Sequence, residues 1–336
     1  MRVTIYDIAE KAGVSIGTVS RVLNSDPNVA PKTRSHVMQV MKRCGYQPSK
    51  LARGLARGST NSIAVLVSLG LSMVDVAEIQ GIHDAALSMD YDILIHDVTN
   101  KPLQSSVARV IGGQRVDALL GLHLYDITDD EVATISESEI PFVLVGVARD
   151  DTNYVVTDDA LGAYMATKHL LDLGYRRIAL IRGPMSWPVT VNRLRGYQRA
   201  LDETGVSLDP AIVFESEYSR DGGCEAMNEL LRSASLDKVD AIFCMSDDQA
   251  FGVLDVAKHT GIRIPDDVAL MGYDDLTPAS IVALSTVRRP FYDMGKAAVR
   301  LVFSECEPGQ RQHVLFEPQL VIRETCGAYQ RMSKTV

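Results

Sequence analysis

Ser15-Ile16-Gly17-Thr18-Val19-Ser20-Arg21-Val22-Leu23-Asn24 decides how the rest of the chain is read. Val19, Val22 and Leu23 fall at helical spacing and give the stretch one apolar face. Ser15 stands where a cap is needed, because its oxygen can take a backbone N–H left free by the first turn. Just upstream, Thr4 is followed three residues later by Asp7, the pattern of a capping box. Ile5, Ile8, Ala9 and Ala12 then recur at helical spacing, and Gly13 ends that helix because glycine tolerates a left-handed turn. Two short helices joined by a turn of about three or four residues, one of them glycine, make a helix-turn-helix. A third helix is expected from Pro31, which fits a first turn where its missing N–H is harmless. Val37, Val40, Met41 and Cys44 are its expected buried face, and Gly45 its end.

The outward face of the second helix points to DNA. Arginine can make two hydrogen bonds to a guanine edge in the major groove, so Arg21 is a candidate base reader. Thr18, Ser20 and Asn24 are short polar groups suited to phosphate oxygens. The alternative is a helical hairpin whose polar face is merely solvated.

Charge favours the first reading. The chain has 336 residues and a net charge of −9. Residues 1–60 carry ten basic and three acidic side chains, hence +7, and the remainder carries 24 basic and 40 acidic, hence −16. A basic head on an acidic body suits a polyanion-binding module tied to something that does not bind polyanions.

Between them runs Ser49-Lys50-Leu51-Ala52-Arg53-Gly54-Leu55-Ala56-Arg57-Gly58-Ser59-Thr60-Asn61. Leu51, Ala52, Leu55 and Ala56 share a helical stripe, with Arg53 and Arg57 beside it. The segment is too short to be helical alone in water. It is a linker that becomes helical only against a partner; its stripe is too small for a membrane surface.

From Ser62 the texture changes. The run Ile63-Ala64-Val65-Leu66-Val67 reads as a strand buried on both faces. Helical and strand patterns then alternate: strands at 91–96, 118–122 and 142–147, helices through Ile79–Leu87 and over 102–113 and 129–138. After Val155-Val156 the alternation restarts, with helices over 159–173, 190–204, 221–234 and 248–260 and strands at 178–181, 212–213, 241–245 and 268–273. Such alternation implies two α/β lobes with parallel sheets and helices on both faces. A helix over 291–304 and strands near Leu315 and Leu320 are expected to return to the first lobe.

These residues together resemble one family. Thr4–Asn24, Val29-Ala30-Pro31-Lys32-Thr33-Arg34, Gly45-Tyr46-Gln47-Pro48 and Leu51-Ala52-Arg53-Gly54-Leu55 resemble the head and hinge of the lac-repressor family of bacterial regulators. Gly183-Pro184, Arg193-Leu194-Arg195-Gly196-Tyr197, Asp247-Asp248-Gln249-Ala250-Phe251-Gly252 and Ile264–Asp275 extend the resemblance along the body in the right order. It implies an all-α helix-turn-helix head on a two-lobed body like that of periplasmic binding proteins. The expected domains are a DNA-binding head over 1–48, a hinge over 49–61, and an effector-binding and dimerisation body over 62–336. The first lobe is expected at about 62–157 and 290–322, the second at about 158–289. The implied function is a regulator, expected to be a repressor, that binds a near-palindromic operator as a homodimer and answers to a small effector between the lobes.

Carried over residue by residue, Ile16, Gly17 and Arg21 look like base readers, and Leu55 matches the leucine that such hinges wedge into the minor groove. Ala52 and Arg53 stand beside it. With Thr4, Ser15, Thr18, Ser20, Asn24 and Leu51 they complete the expected DNA-contacting set. On the effector side, Asp75, Trp187, Arg193, Tyr218 and Asp274 match family ligand contacts, and Ser246 takes a place where many members carry asparagine. Each has a plainer reading: Asp75 as a helix cap, Trp187 and Tyr218 as packing, Arg193 and Asp274 as a structural ion pair. As a set they suit a sugar, with carboxylates and an arginine for hydroxyls and aromatic faces for the C–H side of a ring. A purine is the rival, and Asp75, where purine-binding members carry an aromatic, favours a neutral mono- or disaccharide or a derivative.

Other classes fit less well. No P-loop, GxGxxG or HExxH pattern occurs, and the seven histidines are dispersed with no carboxylate or nucleophile partner evident in sequence. Asp247-Asp248 looks like a catalytic carboxylate pair but reads better as a helix start, with Asp247 as the cap. An enzyme is therefore not expected, and neither is a cofactor or a metal. Five scattered cysteines without a CxxC pair suit reduced thiols. The N-terminus enters a helix without a secretory pattern, so the cytoplasm is expected rather than the periplasm of a sugar carrier. No heptad repeat follows Arg323, which favours a dimer over a tetramer.

Overall fold

A computed structural model describes residues 3–23, 26–46, 59–68, 72–99, 103–112, 116–233, 239–305 and 310–332. The chain divides into two compact units, residues 1–61 with 115–117, and a body of residues 62–114 with 118–336.

In the first unit, α1 (Ile5–Ala12), α2 (Ile16–Leu23) and α3 (Pro31–Arg43) surround Ile8, Ala9, Ala12, Val19, Val22, Val29, Val37, Val40 and Met41. The local signals act as expected. Thr4 Oγ1 accepts from the Asp7 N–H, and Asp7 Oδ2 accepts from the Thr4 N–H at 2.7 Å. Gly13 closes α1 in the left-handed region, at φ 63°. Ser15 Oγ caps α2 by accepting from Thr18 N–H at 3.1 Å. Arg34 of α3 donates to the Asp26 carbonyl at 2.5 Å and fastens α3 to the chain leaving α2. Cys44, expected in the core, is only half-buried.

The body holds two parallel sheets. The first has six strands in the order β11-β5-β4-β3-β1-β2. These are β1 (Ser62–Val67), β2 (Asp92–Asp97), β3 (Ala118–Leu122), β4 (Phe142–Val145), β5 (Asn153–Thr157) and β11 (His313–Phe316). Ile63 to Val67 are all buried, as both faces of a central strand must be when helices cover them. Helices Met73–Ser88 and Phe291–Val302 pack together, and so do Leu103–Gly112 and Asp129–Glu137. The first pair touches backbone to backbone. A Cβ on Gly81 would lie 2.0 Å from the Tyr292 carbonyl oxygen, and one on Gly295 2.2 Å from that of Glu78. Only glycine permits that approach.

The second sheet runs β7-β6-β8-β9, with β6 (Ile178–Arg182), β7 (Val213–Glu215), β8 (Ala241–Cys244) and β9 (Ala269–Met271). Leu180, Phe243 and Met271 point into one core with helices Asp159–Asp172 and Pro188–Glu203. Ile181, Ile242 and Cys244 point the other way, toward Arg220–Arg232 and Asp247–Thr260. The period-two alternation thus buries both faces.

One expectation is corrected. The helix Phe291–Val302 and β11 do return to the first sheet, but the strand near Leu320 does not. β12 (Gln319–Val321) pairs antiparallel with β10 (Thr286–Arg288), and Leu320 packs on the second sheet's core. Pro318 sits in the two-residue step between β11 and β12 and cannot extend the ladder. The first lobe accordingly ends at Phe316 rather than near 322. The chain crosses between lobes three times: at Asp158, at Arg289-Pro290 and at Glu317-Pro318. Among the described residues no helix is long and apolar enough to cross a membrane.

Candidate DNA-reading head and effector cavity

On α2, Ile16, Gly17 and Arg21 are exposed while Val19 and Val22 are buried, so the outward face is the one the sequence indicated. Arg21 Nε donates to the Gly17 carbonyl at 3.3 Å, which folds the guanidinium along its own helix. Ser15 and Thr18 share a side-chain hydrogen bond of 2.9 Å, so both are engaged in holding the start of the helix. Ser20 is half-buried, and Thr4 caps α1. Asn24, Leu51, Ala52, Arg53 and Leu55 lie outside the described residues.

Sequence gave no sign of the clasp at the end of the linker. The Asp117 carboxylate accepts from the N–H groups of Thr60 and Asn61, each at 2.7 Å, and from the hydroxyls of Ser59 at 2.6 Å and Thr60 at 3.0 Å. Burial alone would raise its pKa, but these donors hold it below the ordinary value. Four hydrogen bonds to one ionised carboxylate fix the backbone that enters β1.

The body contains a cavity of about 360 Å³ lined from both lobes. Ser68, His123 and Tyr125 follow β1 and β3; Trp187, Tyr218, Ser246 and Asp274 follow β6, β7, β8 and β9. All stand just beyond the carboxyl ends of parallel strands, where open α/β sheets place ligands. All six residues named from the sequence line it.

Several plainer readings hold at the same time. Asp75 is a helix cap: its Oδ2 accepts from Ser72 N–H and Oγ, each at 2.9 Å, while the residue also faces the cavity. Ser246 caps the helix Asp247–Thr260 by accepting from Gln249 N–H at 3.1 Å. Asp247 is therefore not the cap. It is fully buried, accepting from Leu276 N–H at 2.7 Å and Thr286 Oγ1 at 2.6 Å, and burial pushes its carboxyl well above the usual range. Asp247 and Asp248 do not form a catalytic pair, since only Asp248 reaches the cavity.

Trp187 is sandwiched. Its ring stacks on Tyr125 at 4.9 Å and 23° and on Tyr218 at 5.6 Å and 28°. Because Tyr125 follows β3 and Trp187 follows β6, the first contact crosses between the lobes. The Tyr218 hydroxyl is held 2.9 Å from Thr190 Oγ1.

The cavity floor is ionic. Arg193 Nε donates to Asp159 Oδ1 at 2.9 Å, Nη1 donates to the Met245 carbonyl, and Nη2 lies 3.5 Å from Asp274 Oδ1. Its guanidinium also sits 3.9 Å over the Tyr273 ring. Arg289 completes the group, 3.5 Å from Asp274 through Nη1. Burial raises the Asp274 carboxyl to about 6 despite the two arginines. Its backbone, at φ 120°, is in a region that side chains other than glycine rarely occupy.

His123, Tyr125, Asp126 and Arg289 line the cavity without having been singled out, and so does Asp248, which the sequence marked only as part of a helix start. His123 does have carboxylate partners, in space rather than in sequence: Nε2 is 3.0 Å from Glu78 Oε2 and 4.0 Å from Asp75 Oδ1. Burial opposes its charge, but Glu78 and Asp75 prevail and raise its pKa.

Comparison with known proteins follows the same division. The family model "Bacterial regulatory proteins, lacI family" matches residues 4–49, and "Periplasmic binding protein-like domain" matches residues 167–326. Catabolite control protein A of Priestia megaterium is 34% identical over 90% of this chain and 92% of its own. A transcriptional regulator CelR–cellobiose complex superposes with a TM-score of 0.71 at 32% identity, covering 96% of this chain and 100% of that one. The lac repressor dimer bound to operator and the anti-inducer ONPF gives a TM-score of 0.86 at 26% identity, covering 97% and 99%. The chain belongs to the lacI family of bacterial regulatory proteins.

Proposed function

We propose that this chain is a sequence-specific transcriptional repressor whose operator affinity is set by a sugar held in the cavity between the lobes. The cavity carries the reading: it brings together aromatic rings, a buried ionic cluster and carboxylate acceptors. A polyol meets such a site with hydroxyls that both donate and accept, and with a C–H face for the rings. Asp75, Trp187, Arg193, Tyr218, Ser246 and Asp274 are the proposed contacts. The volume of about 360 Å³ is small within the usual range of ligand sites, and suits one or two sugar rings. The CelR relative is described with cellobiose, which agrees with this choice. A purine would use the same rings, but Asp75 and Asp248 offer acceptors to a ligand rich in donors.

Ile16, Gly17 and Arg21 are the proposed base readers, with Leu55 as the hinge wedge. The protein acts as a homodimer. β2 is an edge strand whose Leu94 and Ile95 are 39% and 46% exposed, and Val76 and Leu87 of the adjacent helix are 55% and 64% exposed. An apolar edge of this kind calls for a covering partner. The cytoplasm is the compartment such a repressor needs, and the described cysteines Cys44, Cys224, Cys244 and Cys326 are free thiols.

Selection of randomised duplexes by the full-length protein tests this reading, repeated with ribose, glucose, galactose, lactose, cellobiose and hypoxanthine. Enrichment of an inverted repeat whose retention one sugar changes is the expected result. No inverted repeat under any condition would remove the repressor reading, and a response to hypoxanthine alone would replace the sugar. On the selected operator, Arg21→Ala should flatten sequence preference at one base pair per half-site, by about 1–3 kcal/mol. A binding profile unchanged by the substitution would leave Arg21 a phosphate contact.

A further inference from the structure

Arg289 stands out among the groups at the cavity floor. It occupies one of the crossings between the lobes, the short step from β10 to the helix Phe291–Val302. Asp159, its nearest unbonded partner, opens the helix directly after another crossing. Both are buried, with side chains 4% and 9% exposed.

Their contact is incomplete. Arg289 Nε lies 4.0 Å from Asp159 Oδ1, and this buried nitrogen has no hydrogen-bond partner. Nη1 reaches Asp274 Oδ1 only at 3.5 Å. A charge-assisted N–H···O bond is normally about 2.7–2.9 Å. Arg193 shows what a closed contact looks like, since its Nε reaches the same Asp159 oxygen at 2.9 Å. A small approach of one crossing toward the other would give Arg289 the bond it lacks. Separation would remove what it has. Arg289 also lines the cavity, so whatever fills that space presses on it.

We propose that Arg289 is a positioning residue that links occupancy of the cavity to the spacing of the two lobes, by moving onto Asp159 when an effector is in place. Arg193 holds Asp159 where it is, at 2.9 Å; Arg289 is the member of the cluster with two arrangements. A ligand shifts such an equilibrium only through its different affinity for the two arrangements. Losing Arg289 should therefore uncouple the sites without emptying the cavity.

This rests on the cavity being the effector site, and the test separates the two ideas. Full-length wild type, Arg289→Gln and Arg289→Lys are compared using the strongest binder among ribose, glucose, galactose, lactose, cellobiose and hypoxanthine. Calorimetry gives its affinity. Fluorescence anisotropy gives the ratio of operator affinities with and without saturating ligand. Wild type should show a ratio of roughly tenfold, within the usual span of allosteric coupling. For Arg289→Gln we expect a ratio below about twofold, with any fall in ligand affinity smaller than the fall in the ratio. Arg289→Lys keeps the charge without the planar fork and should give an intermediate ratio. A folded Arg289→Gln with the wild-type ratio overturns the proposal. So does a loss of ligand affinity as large as the loss of ratio, which would make Arg289 a plain ligand contact. If Arg289→Gln does not fold, a wild-type ratio in Arg289→Lys overturns it. If no compound binds wild type, the effector reading fails first and this assignment falls with it.

Discussion

Ile8→Ala should abolish operator binding while leaving the body folded. Ile8 is fully buried at the centre of the three-helix head, against Val19, Val22, Val37 and Met41. Removing its branched side chain loses transfer energy and leaves a cavity, together about 2–5 kcal/mol. A body with two sheets can absorb such a loss. A head of under about fifty residues cannot, because a core that small supplies only about 3–5 kcal/mol in total. The substitution therefore removes most of the head's stability, and a helix that does not hold its shape cannot present Ile16, Gly17 and Arg21 together. Anisotropy with the selected operator should show at least a hundredfold loss of affinity, the factor that about 2.7 kcal/mol implies. The thermal transition of the body should stay where it was, and proteolysis should begin within the head. Operator affinity within threefold of wild type would show that the head draws stability from elsewhere.

The head was legible in the sequence because its signals are local. A capping threonine and an aspartate three residues later, a glycine in the left-handed region and a serine cap all act within one turn. Alternation along the body likewise gave the parallel lobes, and β3 falls on Ala118–Leu122 as expected. The cavity was legible only in part. Asp75, Trp187 and Asp274 stood in motifs, whereas His123 and Glu78, or Arg289 and Asp159, meet only because distant strands end side by side. Nothing in Thr286-Val287-Arg288-Arg289 says which arginine is buried: Arg288 is exposed and pairs with Asp275 at 2.6 Å, while Arg289 is buried beside Asp159 and Asp274. The pairing of β12 with β10 left no trace either, since a three-residue strand has too few positions to show which sheet it joins. Asp247 misled for a related reason. An aspartate at a helix start suggests a cap, and only the fold shows that Ser246 takes that role while Asp247 ties down Leu276 and Thr286.

Arg193→Met should be the most damaging single change in the body, and its cost should depend on pH. Two nitrogens of the guanidinium are hydrogen-bonded, to Asp159 and to the Met245 carbonyl, and the third lies 3.5 Å from Asp274. Methionine fills much of the space but leaves two buried carboxylates with only the loosely placed Arg289 between them. Breaking a buried pair from one side typically costs about 3–5 kcal/mol. In a domain of this size each kcal/mol moves Tm by roughly 2–4 °C, so a fall of about 6–20 °C is expected near neutral pH. The sign of the pH effect follows from Asp274, whose carboxyl already stands at about 6 in the folded protein against an ordinary 3.8. Without Arg193 it must rise further. An acid whose folded pKa lies above its unfolded one binds more protons when folded, so it lowers stability as pH rises through that window and restores it as pH falls. The Tm deficit of Arg193→Met should therefore be smaller at pH 5 than at pH 8. Melting curves of both proteins across that range decide the matter. A deficit that is constant, or larger at low pH, would mean that the loss comes from packing around Tyr273 rather than from the stranded carboxylates.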